Sequence, residues 1–135
     1  MVLYQIYPRS FADSDGDGVG DLRGVIDRLH HLDHLGVDGV WFSPIMRSPG
    51  ADHGYDVSDP RDVDPLFGDV DTLRELLDRL HAAGKVLIMD LVPNHTSVEH
   101  PWFASAVAAG PGSPERARYI FRDGRGADRS EPPNI

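Results

Sequence analysis

Three short apolar runs constrain this chain more than any other feature. "VLYQIY" (Val2–Tyr7), "VDGVWFS" (Val37–Ser43) and "KVLIMDLV" (Lys85–Val92) are strand-length, rich in branched and aromatic residues, and largely apolar on both faces. The segments between them have helical periodicity instead. Leu22, Val25, Ile26, Leu29, Leu32 and Leu35 recur at that spacing and Gly36 supplies a stop. Val70, Leu73, Leu76, Leu77 and Leu80 repeat the pattern, with Asp69 or Asp71 as N-cap and Gly84 as the end. Apolar strands alternating with amphipathic helices predict an α/β domain with a parallel sheet covered by helices. Ligands in such folds sit in the loops at the C-terminal strand ends. The segments after the three runs are therefore where function is expected.

Each of those segments is unusual. Pro8 stops the first run and Pro44 the second. From Pro44 to Gly68 the chain is rich in Pro, Gly and Asp and reads as one long loop, a length uncommon unless functional. After the third run, Pro101 opens a short helix through Ala109 with His100 as N-cap, and Gly110–Pro114 breaks it. "RYIFRDGRG" (Arg118–Gly126) is compatible with a further strand and turn, while "ADRSEPPNI" has no regular pattern.

Composition narrows the partners. The 135 residues suffice for one domain with a core, and 22 acidic against 13 basic residues give a net charge of -9. That balance argues against a nucleic-acid or anionic-membrane surface. With no cysteine there is neither a disulfide framework nor thiolate chemistry. No run approaches the roughly 18 apolar residues of a membrane span, and the N-terminus lacks the basic and apolar regions of a signal peptide, so a cytoplasmic location is expected. The G-x-G-x-x-G fingerprint does not open the first helix, where acidic residues would repel phosphate, which argues against a dinucleotide site.

The loop after the first run is "DSDGDGVGDL". Asp13, Asp15, Asp17, the Val19 carbonyl and Asp21 fall at positions 1, 3, 5, 7 and 9 of a calcium-loop pattern, with Gly18 at position 6. Alternate residues of a tight loop can turn their oxygens toward a common centre, which suits a hard divalent cation. The pattern departs from an EF-hand at position 12, where Gly24 replaces a bidentate Glu, and a strand precedes it rather than a helix. A solvated Asp-Gly turn is the plainer alternative. In "DHGYDVSD" (Asp52–Asp59), Tyr55 stands beside carboxylates, as in sugar sites, where a ring packs on C–H faces and carboxylates accept hydroxyl hydrogen bonds. By composition alone this is also an ordinary Asx-rich turn. In "DLVPNH" (Asp90–His95), Asp90 lies at a buried strand's end, where a carboxylate must be paired or hydrogen-bonded, with Asn94 and His95 in the following loop.

Together, "QIYPRSF", "DSDGDGVGDL", "GVDGVWFSPI", "GYDVSDP" and "DLVPNHTSVEHPWF" resemble, in order and spacing, the α-amylase superfamily (glycoside hydrolase family 13), closest to its α-glucosidase and oligo-1,6-glucosidase branch. The segment "RYIFRDGRG" followed by "PPN" is similar to that branch as well. The resemblance implies a (β/α)8 TIM barrel, of which residues 1–95 supply the first three βα units and residues 96–135 the start of a domain inserted after strand three. A whole barrel takes roughly 250 residues, so the chain would be an N-terminal fragment needing the remainder of the barrel. Asp52 and Tyr55 are similar to the pair lining the subsite for a non-reducing-end glucose, and His95 to the histidine that hydrogen-bonds that sugar. Asp90 and Asn94 resemble residues supporting the site. The acidic loop, Asp13, Asp15, Asp17, Val19 and Asp21, resembles a structural Ca2+ or Mg2+ site.

The implied activity is release of terminal α-linked glucose from short oligosaccharides with retention. The carboxyl groups doing that chemistry would follow later strands, beyond Ile135, so no acid of this chain is assigned a catalytic role and the chain alone is expected to be inactive. The alternatives are a transglycosidase or isomerase such as a trehalose synthase, and a non-catalytic metal-binding fragment.

Overall fold

The computed structural model describes residues 1–130. The chain divides into two compact units, Met1–His100 and the residues from Pro101 onward.

The first unit is built on three parallel strands. β1 (Leu3–Ile6) pairs with β2 (Gly39–Phe42), and β2 with β5 (Val86–Met89). The order β1-β2-β5 places every expected run in one parallel sheet. Alternation decides which face each residue occupies. Ile6, Val40 and Phe42 lie on the helix-covered face, in a core with Leu22, Val25, Ile26, Leu32, Leu76 and Leu80. Gln5, Trp41 and Ile88 are aligned across the sheet, and Trp41 and Ile88 are exposed. The sheet is therefore covered on one face only. Below it, the buried Lys85 donates from Nζ to the Val37 carbonyl at 2.9 Å and lies 3.3 Å from Asp33.

Several local expectations change. Pro8 ends β1, but it also begins the one-turn helix α1 (Pro8–Phe11), where its missing N–H costs nothing. The helix expected over Leu22–Leu35 is two, α2 (Leu22–Asp27) and α3 (Leu29–Leu35). They break at Arg28, whose N–H reaches the Val25 carbonyl while its own carbonyl accepts from His31 N, both i to i+3 bonds of a tightened turn. Leu22, Val25, Ile26 and Leu32 still bury a common face, but Leu35 is 46% exposed. Gly36 closes α3 in the left-handed conformation, as expected.

The long loop is not structureless. β3 (Met46–Arg47) and β4 (Asp59–Val63) pair antiparallel, reinforced by an Arg47–Asp62 ion pair at 2.8 Å. A two-stranded ribbon consists of edges, where Pro60 is tolerated. Helix α4 (Val70–Ala82) takes Asp69, not Asp71, as N-cap: its carboxylate accepts from Thr72 N at 2.7 Å.

In the second unit, α5 (Pro101–Ala109) forms as expected and a 3-10 turn follows at Arg116–Arg118. The strand expected within Arg118–Gly126 is not formed among the described residues beyond a bridge at Arg125. Its aromatic residues pack on α5 instead: Tyr119 edge-on to Phe103 at 5.3 Å and Phe121 stacked on it at 6.3 Å. The "PPN" segment lies outside the described residues.

Candidate active site and metal loop

The acidic loop leaves the end of α1 and returns to α2 through a neck of two backbone bonds, Gly20 N to Arg9 O at 2.7 Å and Asp21 N to Ala12 O at 3.0 Å. Gly20 and Gly24 make that neck possible. A Cβ at Gly20 would lie 2.1 Å from the Pro8 carbonyl oxygen, and one at Gly24 would lie 2.1 Å from that of Ala12. The residue that looked like a failed calcium ligand is thus a packing requirement.

Within the loop, carboxylate oxygens of Asp13, Asp15 and Asp21 lie within 4.8 Å of one another. Oxygens bound to a common cation at about 2.4 Å lie no farther apart than about twice that length, so these donors fit a hard divalent ion. Asp17 is not in that group; its carboxylate accepts from Val19 N at 2.7 Å. Asp13 accepts from the amides of Gly16 and Gly18 at 2.7 and 2.8 Å, and these bonds hold its carboxyl below the usual range. Burial pushes Asp21 up, but bonds from Gly24 N, Ser14 N and the Ser14 hydroxyl together hold it below. Asp21 thereby caps α2 as well as facing the loop.

The second cluster forms where β2 and β5 end. Asp90 directly follows β5, and its N–H continues the ladder to the Phe42 carbonyl at 3.1 Å. Its Oδ2 accepts from the Tyr55 hydroxyl at 2.7 Å and its Oδ1 from the Trp41 indole Nε1 at 2.7 Å. The hydrogen bond to Asp90 raises the Tyr55 phenol above its ordinary range, and the charge of Asp52 adds to this. His95 Nε2 meets the Tyr55 carbonyl at 3.1 Å, and its Nδ1 faces Asn94 Nδ2 at 3.3 Å. An amide NH2 and a carbonyl permit one neutral tautomer: Nδ1 accepts from Asn94 and Nε2–H donates to Tyr55. Both ring nitrogens of His95 are therefore occupied within the protein.

The turn carrying Asp52 and Tyr55 is tied by Tyr55 N to Asp52 O at 2.9 Å and by the Asp56 carboxylate, which accepts from Ser48, Ala51 and Asp52. Burial raises Asp56, but these donors together leave it lowered. At the turn, His53 adopts a left-handed φ of 52°. The Asp52 carboxylate accepts no hydrogen bond from the described residues and is exposed. Asp52, Tyr55, Asp90, Asn94 and His95 are thus brought together, although 37 residues of sequence intervene between Asp52 and Asp90.

The motifs passed over Trp41, which sits inside an apolar run and resembles core. Alternation held the signal, since it sets Trp41 on the face opposite Val40 and Phe42. A cavity of about 280 Å³ borders the same turn through His53 and Gly54, with Tyr7, Arg9 and Phe67 among its other walls, and is not lined by Asp52, Tyr55 or His95.

The family description "Alpha amylase, catalytic domain" matches residues 5–135. An oligo-1,6-glucosidase from Parageobacillus thermoglucosidasius is 52% identical over 124 residues, 92% of this chain and 22% of that protein. A trehalose-6-phosphate hydrolase from Escherichia coli is 47% identical over 133 residues, 98% of this chain and 23% of that protein. Among solved structures, a trehalulose synthase mutant superposes with a TM-score of 0.89 at 42% identity, over 93% of this chain and 23% of its own. An alpha-glucosyl transfer enzyme gives 0.90 at 48% identity, over 98% and 24%. The chain spans about a fifth of the length of the curated relatives it matches. Its three parallel strands and their helices are the N-terminal βα units of a (β/α)8 barrel, and the chain belongs to the alpha-amylase catalytic-domain family.

Proposed function

We propose that these residues form the glucose-binding part of an α-glucosidase-type glycoside hydrolase, which releases terminal α-linked glucose from short oligosaccharides with retention. The observation that carries this is the contrast between Asp52 and its neighbours. Tyr55 is tied at its hydroxyl, carbonyl and amide. Beside it the Asp52 carboxylate is exposed and accepts nothing from the described residues, so it remains available to sugar hydroxyls. The Tyr55 ring, 37% exposed, offers a face to a pyranose. Relatives named as oligo-1,6-glucosidases support the substrate class. Retention needs two carboxyl groups about 5 Å apart, and none of the motif acids here is given that role. His95 would have to exchange one of its two protein bonds to reach a sugar.

Two further assignments accompany this one. Asp13, Asp15 and Asp21, with Asp17 and the Val19 carbonyl nearby in the loop, would hold a structural Ca2+ or Mg2+. The segment from Thr96 begins a domain inserted after the third barrel strand, and the separate unit from Pro101 supports a boundary close to that point.

The test is p-nitrophenyl α-glucoside and maltose hydrolysis by a protein carrying these residues within a whole catalytic domain. Asp52→Asn should lower kcat/KM by at least about tenfold, the loss expected for one charge-assisted hydrogen bond. The 135-residue chain alone should release no glucose. Full activity in Asp52→Asn would refute the site. A glucosyl-transfer or isomerising enzyme is the second reading, favoured by the synthase and transfer-enzyme structures. Accumulation of new disaccharides from maltose or sucrose would select it.

A further inference from the structure

Trp41 is held away from the core its sequence neighbours build. Val40 and Phe42 are fully buried, whereas Trp41 is 37% exposed and does not belong to the core cluster. What it does possess is a directed bond: its Nε1 donates to Asp90 Oδ1 at 2.7 Å across 49 residues of sequence. The other oxygen of the same carboxylate accepts from the Tyr55 hydroxyl at 2.7 Å, across 35 residues. A carboxylate with one donor can turn about its last torsion, which is broad. A second donor on the second oxygen fixes its plane. The indole suits that task because it is a rigid, donor-only group. Unlike a hydroxyl, it has no lone pair with which to recruit a competing donor.

We propose that Trp41 is a positioning residue for the glucose subsite: its N–H fixes the plane of Asp90, and Asp90 so fixed sets the Tyr55 ring beside Asp52. The proposal rests on the assignment of Asp52 and Tyr55 to sugar binding. Tyr55 would then be set from β2 through its hydroxyl and from the segment after β5 through its carbonyl, where His95 Nε2 lies at 3.1 Å. Two barrel strands would share control of one ring.

The experiment uses a whole catalytic domain that carries these residues. The Tyr55 phenol is titrated by NMR of 13Cζ-labelled tyrosine, with Tyr55→Phe assigning the signal, and maltose affinity is measured alongside. Trp41→Phe keeps a ring and loses the N–H. It should shift the Tyr55 titration as Asp90 loses its fixed plane and weaken maltose binding about tenfold, with the amide spectrum retained. An unchanged Tyr55 titration in that variant overturns the proposal. Asp90→Asn carries the test should Trp41→Phe not fold. The Trp41 indole N–H resonance, distinguished from that of Trp102 by Trp102→Phe, and the Tyr55 titration should then move together, and movement of only one overturns the linkage. If the unaltered domain fails to bind maltose, the sugar subsite fails and Trp41 loses its place in it. That result is told apart from a failed linkage because Trp41→Phe would still move the Tyr55 titration.

Discussion

Single residues in this chain carry two duties where sequence patterns assign one. Asp21 counts as an oxygen donor in the acidic loop, yet it also caps α2 through Gly24 N at 2.6 Å. Gly24 breaks the calcium-loop pattern because the Ala12 carbonyl leaves no room for a side chain. The protonation of the loop follows from its bonds. Asp13 and Asp21 both lie below the ordinary carboxylate range when folded, so their contribution is fully present above that range. It is lost as pH falls through the depressed folded values, that is, below about pH 4. The amide resonances of Gly16, Gly18 and Gly24, whose N–H groups donate to these two acids, should show inflections in that acid window. Inflections at or above the ordinary carboxylate pKa would contradict the geometry.

At the scale of elements, strands and helix types were legible and their limits were not. The three apolar runs and the helical stripes each found their place because strand-length apolar runs alternating with 3.6-residue periodicity leave few alternative assignments. The stripe ending in Leu35 also held as helix, but a tightened turn at Arg28 divided it, and nothing in the spacing of leucines records such a turn. The β3-β4 ribbon was invisible because β3 has two residues and β4 is largely polar and carries Pro60, the pair being stabilised by partners such as Arg47 and Asp62 rather than by an apolar pattern. In the candidate site, Asp52, Tyr55, Asp90 and His95 were recognisable from their motifs. Trp41 was not, since an indole in an apolar run reads the same whether it packs or donates. Periodicity also treats Leu35 and Leu80 alike, and the structure separates them: Leu80 in α4 is fully buried and Leu35 is 46% exposed. Urea denaturation should therefore find Leu80→Ala destabilised by about 2–5 kcal/mol and Leu35→Ala changed by less than about 0.5 kcal/mol. Equal losses would contradict the packing.

Across the whole first unit, the sheet is clothed on one face only. β1 and β5 are both edges, and Trp41, Val86, Ile88 and Met89 are exposed along β2 and β5. Uncovered apolar strands and free edges favour association. Sedimentation of the 135-residue chain should show mass rising with concentration, together with binding of a hydrophobic dye. A monodisperse monomer that ignores the dye would count against an uncovered sheet. No helix of the described residues is long and apolar enough to cross a membrane. The acidic loop has the opposite character. Its neck, closed by Gly20 N to Arg9 O and Asp21 N to Ala12 O, makes residues 13–19 an excursion whose ends already meet. Closure entropy varies only slowly with the length of such an excursion. The loop is therefore a cassette: evolution, or an engineer, can shorten, lengthen or exchange residues between its closed ends while β1 and α2 on either side keep their places.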